Sequence, residues 1–324
     1  MHKNILSLPI SGGSFHVQTF LCLELIKSEC IKPDVILGIS GGCINAFLLC
    51  ASNWNYEKTL EILNKFSSKL YCKGSILGAL FRSTLFDKGE GLNELFNELF
   101  ENNSITEIEI LSLKTKYETL YGEISCNKDR SCLNIDRLLN TNNRITDVVY
   151  RCGNKELLIM DCLSSCSLPG IIPPVNINGE NFIDGGMIYT TLTTPIIKLL
   201  PENFHINFIS PYDLDGVKEH NQFSNNVIDN IMYGINNVML GALYSERLNL
   251  INSISKNANC EEGKCSIEKL KEINISRNKY SRTLLELYPN KYLSLNITNF
   301  TNSDINNHYN EFINEGYSYR FWYS

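Results

Sequence analysis

Residues 34–50 read DVILGISGGCINAFLLC. A short apolar run, Val35–Gly38, follows Pro33-Asp34, and Cys43–Ala51 continues with apolar residues at helical spacing. The first predicts a strand and the second a helix. Between them, Gly38, Gly41 and Gly42 surround Ile39 and Ser40. Glycine is costly inside regular structure, so this density marks a tight strand-to-helix turn. A serine hydroxyl that attacks a carbonyl has to project from such a turn, where side chains two residues before and after would clash. Gly38-x-Ser40-x-Gly42 has that pattern, and the N-terminus of the next helix favours negative charge.

Upstream, Asn4–Ile10 is apolar and bounded by Gly12-Gly13, which predicts another strand. Phe15–Glu29 carries Phe20, Leu21, Leu25 and Ile26 at helical spacing. Strand–helix–strand–helix order predicts a parallel sheet with right-handed crossovers. With the first two strands adjacent, the loop Gly12-Gly13-Ser14 sits beside Ser40. Successive backbone N–H groups at a helix start suit a tetrahedral oxyanion, although a tight βα turn would look the same. The loop lacks the GxGxxG spacing and the lysine of nucleotide-binding loops.

Downstream, residues 181–191 read NFIDGGMIYTT. Phe182–Ile183 predicts a short strand ending at Asp184, and Gly185-Gly186 force a sharp turn after it. The acid is expected at the same sheet edge as Ser40, at the carboxyl ends of the strands. Further helices are expected over Tyr56–Leu70, Gly91–Phe100 and Asp304–Gly316. A long, well-buried helix is expected over Asn225–Ser253. Further strands are expected at Thr119–Ser125, Asp147–Arg151, Leu157–Met160, Phe204–Ile209 and within KYLSLNITNF, while 256–280 reads as a polar surface excursion. The aromatic tail YSYRFWYS reads as core packing.

Three glycine sites in this order resemble the patatin-like phospholipase family. Its motifs are a glycine-rich oxyanion loop, a G-x-S-x-G elbow and a later D-G-G, matched here by Gly12-Gly13-Ser14, Gly38–Gly42 and Asp184-Gly185-Gly186. CLSSCSLPGIIPPV (162–175) resembles the family's small-residue and proline segment, and LFDKGEGLNELFNELF its mid-domain helix. The likeness covers about residues 4–200. It implies a Ser–Asp dyad without histidine, Ser40 as nucleophile and Asp184 as base. Two departures stand out: Ser14 and His16 occupy positions where the family often has a third glycine and a basic residue, and TTLTTP replaces an Asn-Pro pair.

Composition fits this reading. The chain has 324 residues, net charge −6 and 43% hydrophobic residues, an ordinary globule with no electrostatic case for a nucleic-acid partner. Twelve scattered cysteines read as reduced thiols. The pairs Cys126/Cys132 and Cys260/Cys265, placed in polar loops, are spaced too widely for zinc knuckles. The expected fold is a three-layer α/β/α domain over residues 1–324 with a central, mainly parallel sheet, in which 201–324 complete the motif-bearing core. The expected activity is hydrolysis of phospholipid or other acyl-ester lipids, with no cofactor and no metal. The expected location is cytoplasmic, with peripheral membrane contact open. Gly74–Phe86, apolar and glycine-broken, is a candidate lid or bilayer-touching element, and equally fits a buried connector packed on the sheet. A Ser–Asp–His hydrolase using His205 or His220, or a lipid-binding pseudo-hydrolase, would be the alternatives.

Overall fold

The computed structural model describes residues 2–30, 32–67, 109–112, 114–116, 155–169, 172–177, 179–187, 189–191, 202–215, 227–254, 258–291 and 302–324, with positions 93, 97, 193 and 293 between them. The chain opens with β1 (Lys3–Leu8), α1 (Phe15–Lys27), β2 (Val35–Gly38), α2 (Gly41–Ala51) and α3 (Tyr56–Ser67). Then come β3 (Glu109–Ser112), β4 (Lys114–Lys116), α4 (Lys155–Ser165), β5 (Val175–Ile177), β6 (Glu180–Asp184) and β7 (Phe204–Ile209). The C-terminal part supplies α5 (Val227–Ile254), β8 (Asn259–Lys264), α6 (Ile267–Ser276), β9 (Arg282–Pro289), α7 (Asn302–Glu315) and β10 (Tyr317–Tyr323).

Among the described residues the central sheet has seven strands, in the order β3-β2-β1-β7-β9-β10-β8. The first five are parallel, and β10 and β8 close the edge antiparallel. Leu8 pairs with Gly38 and Asn4 with His205, so the carboxyl ends of β1 and β2 lie together. Strand alternation feeds two cores. Leu6, Leu8 and Ile36 pack with α1, α2, α3, α6 and α7 on one face. On the other, Ile5, Val35, Leu37, Ile206 and Phe208 pack with Leu243, Leu250 and Ile254 of α5. Side chains that alternate across a pleat require a helical layer on each face, and the fold is the expected three-layer α/β arrangement.

Several local expectations are corrected. Leu157–Met160 belongs to α4 rather than to a strand, since four apolar residues do not distinguish the two periods. Within the expected excursion 256–280, the described residues from 258 onward form regular elements: β8 joins the sheet, and α6 buries Leu270 and Ile273. Cys260 and Cys265 therefore lie in and just after an edge strand rather than in a polar loop. Among its described side chains, helix α5 is buried on one side only, with Val238 75% exposed. Asp184 ends β6 in a separate three-stranded sheet, β4-β6-β5, instead of extending the central one. The aromatic tail packs into the core as expected, forming β10 with Tyr317, Tyr319, Phe321 and Trp322 buried. Most of the expected helix Gly91–Phe100 and of KYLSLNITNF, the expected strands Thr119–Ser125 and Asp147–Arg151, and the candidate lid Gly74–Phe86 lie outside the described residues.

Candidate active site

Ser40 joins β2 to α2 with φ 54° and ψ −126°. A non-glycine residue rarely adopts such a backbone, and holding it costs about 1–3 kcal/mol that neighbouring contacts have to offset. Those contacts are present. The Ser40 N–H donates to Ser165 Oγ at 3.2 Å, and its carbonyl accepts from Cys166 Sγ at 3.2 Å and from the Cys43 N–H at 2.9 Å. The flanking glycines permit close approach. A Cβ on Gly42 would lie 2.1 Å from the Leu8 carbonyl oxygen, and one on Gly38 would lie 2.6 Å from the Gly42 oxygen.

Asp184 arrives from the small sheet. Its N–H donates to the Ser167 carbonyl at 3.0 Å, and its Oδ1 accepts the Gly186 N–H at 2.7 Å. The turn Gly185–Met187 begins directly behind it, and a Cβ on Gly186 would press on Ile10 at 2.9 Å. The carboxyl group is 1% exposed. Burial pushes its pKa up to about 7, while the nearby Ser40 hydroxyl and the Gly186 N–H draw it back. Among the described residues Oδ2 has no hydrogen bond of standard geometry, and the Ser40 hydroxyl lies near enough to favour the ionised carboxylate.

Between β1 and α1, the turn Gly12–Ser14 packs on the elbow. A Cβ on Gly41 would meet Ser11 Oγ at 2.3 Å and the Gly12 nitrogen at 3.4 Å. The Ser14 N–H donates to the Ser11 carbonyl at 2.9 Å and is thus engaged inside the turn. Among the described residues, the N–H groups of Gly12 and Gly41 make no such bond. Gly41 is N-terminal in its helix, where amides lack intrahelical acceptors. The loop is braced from below: Asn45 Nδ2 donates to the Phe15 carbonyl at 2.7 Å and Gln18 Nε2 to the Pro9 carbonyl at 2.9 Å.

Sequence reasoning did not single out Gly41, Ser165, Cys166, Ser167 or Asn45 as site residues. Gly41 carries a readable signal, since the residue after an elbow serine presents its N–H toward the same space. The others are polar groups whose partners are remote in the chain, and nothing local marks them. The described histidines lie elsewhere. His205 sits opposite Asn4, four residues or about 13 Å along the strand from the edge that carries Ser40. Its ring bonds to Thr283 Oγ1 at 2.9 Å. His16 lies on α1 against His308, at 2.9 Å, and His220 is outside the described residues.

A strained serine at the carboxyl edge of a parallel sheet, a glycine-rich turn beside it and a buried acid of raised pKa are the kinds of group from which a serine-hydrolase site can be built. The family model of the patatin-like phospholipases matches residues 10–197, which include all three glycine motifs, and the chain belongs to that family of lipid acyl hydrolases. A comparison with curated proteins finds no significant match. Among the described residues, no helix is long and apolar enough to cross a membrane, and no group of three or more His, Cys, Asp and Glu could hold a metal ion.

Proposed function

We propose that the chain, as one domain over residues 1–324, hydrolyses acyl esters of phospholipids or related lipids through a Ser40–Asp184 dyad. The observation that carries this reading is the strained Ser40 beside a carboxylate whose pKa is pushed up to about 7. Near neutral pH such a group can both take and return a proton. Ser40 Oγ attacks the acyl carbonyl, and Asp184 accepts the hydroxyl proton as the C–O bond forms. The N–H groups of Gly12, Gly13 and Gly41 hold the oxyanion, with Ser14 closing the turn that presents them. Collapse of the tetrahedral adduct breaks the ester C–O bond, and Asp184 protonates the departing alkoxide. Water, deprotonated by the same carboxylate, then attacks the acyl carbon; the acyl–Oγ bond breaks, Asp184 returns the proton to Ser40 Oγ, and the fatty acid leaves. No cofactor or metal enters these steps.

The experiment is turnover of a soluble chromogenic ester together with labelling by a fluorophosphonate. Ser40→Ala and Asp184→Asn should each lower kcat/KM by about a thousandfold or more with folding retained by circular dichroism. The probe should modify Ser40. Labelling at another residue, or activity that survives Asp184→Asn, would overturn the dyad.

A further inference from the structure

The Ser11–Gly12 peptide is fixed through its oxygen. That oxygen accepts the Ser14 N–H at 2.9 Å and the Tyr212 hydroxyl at 3.0 Å. In a trans peptide the carbonyl and the following N–H point in opposite directions. Bonds that hold the Ser11 oxygen therefore aim the Gly12 N–H the other way. Gly12 has φ 48°, and without a side chain to limit it, glycine gives this peptide unusual freedom to rotate. Its nitrogen lies against the elbow, on the Gly41 side.

Tyr212 is itself held firmly, in the loop that leaves β7. Ser210 Oγ accepts the Tyr212 N–H at 3.2 Å and donates to the Tyr212 carbonyl at 2.6 Å. Just beyond, Asp213 pairs with Arg320 and Asp215 with Arg247, each at 2.8 Å. Both guanidinium groups converge on the buried Glu286, at 2.8 Å from Arg247 and 3.3 Å from Arg320. A buried charge cluster with several bonds per member resists rearrangement, because breaking one contact strands a charge. The loop that carries the phenol is thus anchored to α5 and to β9 and β10, the two strands next beyond β7 from the elbow.

We propose that Tyr212 is a positioning residue: its hydroxyl locks the Ser11–Gly12 peptide so that the Gly12 N–H is directed to the oxyanion. The proposal rests on the hydrolase reading above. Tyr212→Phe removes only the hydroxyl. It should lower kcat about ten- to a hundredfold while KM on a soluble ester stays within about twofold. A trifluoromethyl ketone, whose adduct with Ser40 carries an oxyanion, should lose affinity by a similar factor. The pH inflection of kcat/KM should not move, because Asp184 is untouched. A kcat within twofold of the unaltered protein would overturn the proposal. So would a loss in KM alone with ketone affinity unchanged. If the unaltered protein neither turns over the ester nor reacts with a fluorophosphonate at Ser40, the hydrolase reading fails and takes this proposal with it.

Discussion

The Asp184 N–H donates to the carbonyl of Ser167 at 3.0 Å, two residues beyond the Ser165 hydroxyl that receives the Ser40 N–H. Three consecutive residues, Ser165, Cys166 and Ser167, thereby tie the elbow of the central sheet to the end of a strand in the small one. The two sheets share no strand, so this clamp is a direct link that sets how far the serine stands from the acid.

Ser165→Ala should leave the Ser40 N–H without an acceptor at a strained residue. An unsatisfied buried amide costs about 1–3 kcal/mol, and a chain of this size should lose a few degrees in Tm. Part of that cost falls on the elbow geometry, so kcat should drop about tenfold with KM nearly unchanged. Differential scanning calorimetry and steady-state kinetics on one soluble ester would check both effects. Unchanged kcat at reduced Tm would confine Ser165 to stability.

The pH profile should follow Asp184. The base must be ionised to accept the Ser40 proton, and its pKa is pushed up to about 7. The logarithm of kcat/KM should therefore rise with unit slope below that pH and level off above it. In Asp184→Asn any residual rate should lose this inflection. A profile that is flat from pH 5 to 8 would show that another group limits the reaction.

Stability should run in the opposite direction. The folded carboxyl group has a pKa raised above its ordinary value of 3.8, so its protonated form is favoured in the folded state. The associated stability is fully present below about pH 4 and is lost as pH rises through about 7. Asp184→Asn keeps an oxygen for the Gly186 N–H and removes the ionisable group. It should raise Tm by a few degrees at pH 8 and change it little at pH 4, a cost of function in stability. Thermal melts of both proteins across that range would test the sign.

The chain's own residues determined the features that depend on local backbone chemistry. Gly38, Gly42 and Gly186 are legible because a side chain at each would collide with nearby backbone or side-chain atoms, a demand written into a few consecutive positions. The β1–α1–β2–α2 order is legible for a similar reason: each segment shows its own period. Tertiary structure decided what depends on partners far away in sequence. Whether the run Leu157–Met160 is strand or helix was set by the packing of α4 on the small sheet, as short apolar runs fit either. The charged segment Asn259–Lys264 became a strand because β10 offered it a free edge. Asp184 reached Ser40 from a second sheet through the 165–167 clamp, and Tyr212 reached Ser11 across 201 positions. Such contacts form only once loop-closure entropy has been met by the collapse of both cores, and no local pattern encodes them.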